Sequence, residues 1–181
     1  MNRLIKAAVS GLALAGGVLI GGSAVAATPV TGQTQIWANL GNGSGPFSVL
    51  FTGAIGDHGT GYSATSSGQI TKKSTGYKLF VLKRGSFLVN SKTLNAALNN
   101  NNAPPTTENN TTCTATFVVT DPVTFVKGTK AYAGITGTIS VTVSFAELGP
   151  KNKNGTCNQS NNAQPVATYG SVAGTGTVTY G

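Results

Sequence analysis

Apolar and polar residues alternate with a period of two along most of this chain, and residues 137–147 show it most cleanly. Ile139, Val141, Val143 and Phe145 fall on one face, with Thr138, Ser140, Thr142 and Ser144 on the other. Alternation of this kind, rich in β-branched residues, predicts a half-buried strand. Phe47, Val49 and Phe51 alternate against Ser48 and Thr52, and Ala115, Phe117 and Val119 against Thr114, Thr116 and Thr120. Further strands are expected near residues 33–40, 60–65, 123–126 and 167–180. Residues 77–90 make a longer run, with Leu79 and Val81 on one face and Phe80 and Leu82 on the other. Gly85 sits inside that run, where a bulge or bend re-aims its second half.

Only one segment has helical spacing. Ser91 is placed to cap it, and Leu94, Ala97 and Leu98 fall at i, i+3 and i+4, enough for two turns before the asparagine run 99–102 ends it. Two polar stretches, NNNNAPPTTENNTT (99–112) and GPKNKNGTCNQSNNAQP (149–165), read as long exposed loops. No linker or second composition appears after residue 27. Residues 28–181 are therefore read as one all-β domain, whose eight or nine short strands and Gly-rich turns fit a closed antiparallel barrel or a sandwich.

Residues 1–27 follow a different pattern. Arg3 and Lys6 precede an uncharged run of Ala, Val, Leu, Ile and Gly, and Ala24-Val25-Ala26 provides small residues for cleavage. This is the layout of a secretory signal peptide. The run is short and rich in Gly and Ser, and no stop-transfer charges follow, which speaks against a membrane anchor. The expectation is bacterial-type export of residues 28–181, with cleavage after Ala26 or Ala27 and no membrane span left in the product.

Export changes the reading of the two cysteines, Cys113 and Cys157. An even count in an oxidising compartment argues for a disulfide, and two cysteines allow one intramolecular pairing. Such a bridge is worth roughly 3–4 kcal/mol in the chain-entropy picture. Each of the two long polar loops contains or adjoins one cysteine, so the bridge would bring them to the same end of the molecule.

Charge excludes more than it assigns. The chain has 12 Lys and Arg against 4 Asp and Glu, but only Lys72-Lys73 and Lys83-Arg84 are adjacent after the leader. Specific nucleic-acid binding asks for clustered cations with stacking aromatics, and that pattern is missing. Weak attraction to anionic cell-surface polymers remains within reach of so basic a surface. No metal site is expected, because His58 is the only histidine and no CxxC occurs. No cofactor is called for, since the glycine-rich turns lack the GxxxxGK[ST] order of a phosphate loop. A serine triad would need His58, an orienting acid and a Gly-x-Ser-x-Gly elbow that is not present. Gly56-Asp57-His58-Gly59 reads first as a hairpin turn. The remaining acids, Glu108, Asp121 and Glu147, show no glycosidase-like pairing.

Three segments together carry a family resemblance: FTGAIGDHGTG (51–61), GTKAYAGITGT (128–138) and GSVAGTGTVTYG (170–181). YKLFVLKRGSFLVN (77–90) and TCTATFVVT (112–120) lie between them. In this order they resemble small exported bacterial proteins of the allene oxide cyclase barrel-like group, fold relatives of plant allene oxide cyclases and dirigent proteins. The chain departs from that group at Val126-Lys127-Gly128, where a double glycine is usual, and in its enlarged Asn-rich loops. The resemblance implies an eight-stranded antiparallel barrel of calycin-like style. The plant relatives bind or steer apolar small molecules inside the barrel.

The functional expectation follows from both lines. An apolar or aromatic small molecule would sit in the barrel mouth, with His58, Arg84 and Tyr132 as its few polar contacts. Any reaction would be a cyclisation or isomerisation guided by shape rather than a hydrolysis. The alternative is a non-enzymatic protein of the cell envelope or extracellular space that works through its surface.

Overall fold

The computed structural model describes residues 28–41, 45–100, 105–160 and 163–181. The expected signal peptide, residues 1–27, lies outside the described residues. Among the described residues nine strands form in chain order: β1 (Val30–Gly41), β2 (Phe47–Gly53), β3 (Asp57–Ser63), β4 (Tyr77–Leu82), β5 (Ser86–Asn90), β6 (Thr107–Asn109), β7 (Thr114–Gly128), β8 (Thr136–Leu148) and β9 (Ala167–Tyr180). One helix, α1 (Lys92–Leu98), follows β5.

Eight of the strands close into an antiparallel barrel. Each of β1 to β4 pairs with the next, β5 pairs with β7, β7 with β8, β8 with β9, and β9 returns to β1. The ninth, β6, lies outside that ring and pairs with Thr114–Thr116 at the start of β7. The expected all-β barrel with one short helix is thus the observed fold.

The period-two pattern decides what faces inward. In β8, Ile139, Val141 and Val143 are almost fully buried while Ser140 is exposed. Each such side chain contributes up to about 1.5–3 kcal/mol of burial free energy. The aromatic residues do most of the filling. Phe47 and Phe51 each meet Phe80 edge-on, Phe51 also meets Phe87, and Phe87 meets Phe125 and Tyr132, with centroids 5.2–6.0 Å apart. Glycines opposite them make the room. A Cβ on Gly61 would lie 2.3 Å from the Phe47 ring, and one on Gly170 would lie 2.7 Å from the Phe145 ring.

Three local expectations are corrected. Residues 77–90 are two strands, not one bent strand. Gly85 is in the turn between β4 and β5, closed by the Leu82 N–H donating to the Gly85 carbonyl at 2.8 Å. A Cβ at Gly85 would strike the Thr129 carbonyl at 2.4 Å. Residues 114–128, expected as two strands, form one. Pro122 is tolerated because the edge of β7 beside it is unpaired: β5 reaches only Thr124 and β6 only Thr116. The β2–β3 hairpin turn is Ala54–Gly56, so Asp57 and His58 already belong to β3 and face opposite sides of the sheet.

Cys113 and Cys157 are bonded, with a Cα–Cα distance of 5.4 Å. The bridge joins the residue before β7 to the β8–β9 connection, and so holds the two long polar loops at one end of the barrel.

Candidate functional site

The two ends of the barrel differ. The end made by the β2–β3, β4–β5 and β7–β8 turns is corked. Ile55, Tyr132, Ile135, Val178 and Tyr180 fill it, all 6% exposed or less. Lys130–Tyr132 form a single 3-10 turn that brings the Tyr132 ring inward between Phe87 and Tyr180, at 5.3 Å from each.

The polar part of the cork is a tight cluster around Asp57. Its Oδ2 accepts from the Tyr132 hydroxyl at 2.7 Å and from the Arg84 backbone N–H at 2.9 Å, and its Oδ1 accepts from the His58 backbone N–H at 2.8 Å. The Arg84 guanidinium lies 3.7 Å from Oδ2 and 5.7 Å from the Tyr132 ring centre, and also donates to the Ile55 carbonyl. Burial alone would raise the Asp57 pKa. The three hydrogen bonds and the Arg84 charge outweigh it and hold the carboxyl below its ordinary value. Burial, reinforced by donation to Asp57, pushes the Tyr132 phenol well above its ordinary value. This arrangement locks a plug. It offers no free base or nucleophile.

The opposite end, where α1 and the β1–β2, β3–β4 and β8–β9 connections gather, opens into the lumen. A cavity of about 440 Å³ runs inward from there. Its deep wall is Ile36, Phe51, Phe80, Val89, Phe125, Ile139 and Val141, and Leu40, Phe47, Phe145 and Leu98 narrow the opening. Volume and lining are those of a small-molecule pocket. Polar groups gather toward the opening: Ser63, Lys72, Ser74, Lys78, Ser91, Asn95 and Asn99. Ser91 does not cap α1 through its side chain. Its hydroxyl donates instead to the Gly76 carbonyl at 3.2 Å, tying the helix to the mouth.

The structure brings together two of the three expected contact residues, Arg84 and Tyr132, but at the corked end. His58 lies on the outer face of β3, exposed, and joins the cluster only through its backbone. None of the three lines the cavity. Glu108, Asp121 and Glu147 do not line it either. Lys78 does, and its position was readable. It is two residues from Phe80 and four from Leu82, in phase with the buried face of β4.

Among the described residues, no group of three or more His, Cys, Asp and Glu side chains is placed to hold a metal ion. No helix among them is long and apolar enough to cross a membrane. On the outer barrel face, Trp37, Leu50 and Tyr169 leave apolar surface exposed beside a shallow groove. No protein-family model, no curated protein and no solved structure matches the chain.

Proposed function

We propose that this is an exported β-barrel protein that takes an apolar or aromatic small molecule into the open end of its barrel. The cavity of about 440 Å³ carries this reading. An eight-stranded barrel is either packed solid or holds one small ligand, and here the space is walled by aliphatic and aromatic side chains. The resemblance to the allene oxide cyclase barrel-like group agrees with a closed eight-stranded antiparallel ring. The Cys113–Cys157 bridge and the leader-like residues 1–27 support export into an oxidising compartment.

Among the described residues, the polar groups of the cavity are hydroxyls, amides and two amines, without a carboxylate or imidazole. That composition favours holding a guest, or steering its shape, over hydrolysing it. The Asp57–Tyr132–Arg84 cluster is spent on closing the far end.

The test is titration of the oxidised protein, residues 28–181, with an environment-sensitive apolar fluorophore such as anilinonaphthalene sulfonate. It is run on wild type and on Val143→Trp, which fills the lumen. Saturable one-site binding lost in the variant is expected. Equal binding by both would place the probe elsewhere and sink the reading, and a non-enzymatic surface-interaction protein would replace it.

A further inference from the structure

Among the described residues, Lys78 lines the cavity with no acidic side chain paired to it. It projects from the inward face of β4 in register with Phe80 and Leu82, and forms part of the cavity wall. The Ser63 hydroxyl accepts from its Nζ at 2.9 Å. Among the described residues the only ion pair within 4.0 Å is Arg84 with Asp57, at the corked end. Asp121 is on the same face of β7 as Val119 and Val123, but it does not line the cavity. The second amine there, Lys72, is exposed on the β3–β4 connection and adds the same sign.

A partly buried ammonium facing apolar walls costs free energy unless something compensates it. Burial pushes the Lys78 pKa below its ordinary value, which agrees with a charge that is poorly solvated and unpaired. Among the polar groups that line the opening, the Ser63 hydroxyl and the Asn95 and Asn99 amides carry donor hydrogens, whereas the Ser74 hydroxyl donates to Asn95 Oδ1 at 2.5 Å. An amine held by the Ser63 hydroxyl, in a cavity walled by aromatic and aliphatic side chains, is a half-built recognition site. The missing half is an anion attached to an apolar body.

We infer that the guest of the cavity is an amphipathic organic anion, its apolar portion in the barrel and its carboxylate or equivalent head group paired with Lys78. This rests on the small-molecule reading of the cavity and adds the head-group chemistry to it. Lys72, exposed at the rim, attracts the same anion over a longer range and steers it to the opening. The apolar floor accounts for affinity, and Lys78 for choice among guests of similar size.

The experiment compares two probes that differ only in the head group, dodecanoate and dodecanol, by isothermal titration at pH 7.5 with the disulfide intact. Wild type is expected to bind dodecanoate at least about ten-fold more tightly, the return on one charge-assisted contact in a partly dry site. Lys78→Met should bring the two probes to within about two-fold of each other, while Lys78→Arg keeps the preference. Equal binding by wild type overturns this inference and leaves the cavity reading standing. Failure to bind either probe overturns both. A preference that survives in Lys78→Met would assign the charge recognition to another residue and also overturns it. The wild-type comparison decides the matter even if a variant does not fold.

Discussion

Replacing Tyr132 with Phe removes one oxygen from the cork and nothing else. The ring keeps its edge-on contacts with Phe87 and Tyr180, and Arg84 still has an aromatic face beside it. What disappears is the 2.7 Å hydrogen bond from the hydroxyl to Asp57 Oδ2. A hydrogen bond to a buried charged group is worth about 1.5–3 kcal/mol net. For a domain of this size that is a fall of roughly 4–10 °C in melting temperature. The loss should depend on pH. The Asp57 pKa is lowered in the folded protein, so its contribution is complete above the ordinary carboxyl pKa and is lost as pH falls through the folded value. Without the Tyr132 hydroxyl the Asp57 pKa rises, and the acid limb of stability moves to higher pH. Urea unfolding followed by far-UV circular dichroism at pH 7 and near pH 2.5 measures both effects. We expect the variant's deficit to shrink at the lower pH with the urea slope unchanged. A deficit under about 0.5 kcal/mol at pH 7, or one of the same size at both pH values, would show that the hydroxyl does not hold the cork through a charged Asp57.

Three other outcomes are expected. Reducing the Cys113–Cys157 bridge, which spans a sequence separation of 44, should lower stability by about 4 kcal/mol and leave the β-sheet signal in circular dichroism; an unchanged melting temperature would contradict it. Lys78→Met should raise the melting temperature of the empty protein at pH 7, because it removes a poorly solvated charge. That gain should fade as pH rises toward the ordinary lysine range, where the folded wild type sheds the proton first and its own stability climbs; a gain constant with pH would refute the cause. Val143→Trp should weaken apolar-probe binding at least about ten-fold, by occupying space that the guest needs, as a fluorescence titration would show.

The sequence revealed most where one rule acted alone. In β8, alternation identified the inward residues correctly, because a strand with one face in the core has no other register open to it. The cysteine pair followed from an even count of two. The site was harder to see for two reasons. Asp57 and Tyr132 lie 75 residues apart, so their hydrogen bond exists only once the β2–β3 and β7–β8 turns share an end of the barrel. Residue type alone does not set Lys78 apart from a solvated lysine, although its phase with Phe80 and Leu82 marks it as inward. Tyr132 lies at one end of the lumen, as the plug that an aromatic beside a glycine turn most often is. The opening is at the other end, where α1 and the polar connections meet, and irregular connections of that kind have no periodicity to read.

A barrel sealed at one end by Tyr132, Ile55 and Ile135 is a blind alley, and this has a kinetic signature. A guest of the kind proposed would leave by retracing its way in. Substitutions that widen the opening, such as Leu98→Ala, would therefore change arrival and departure rates together more than affinity, while substitutions on the deep wall would act chiefly on departure. Exchange must pass through the empty barrel as well. A competitor added in excess cannot push the resident molecule out from behind, so the rate of displacement should level off at the resident's own dissociation rate however much competitor is present.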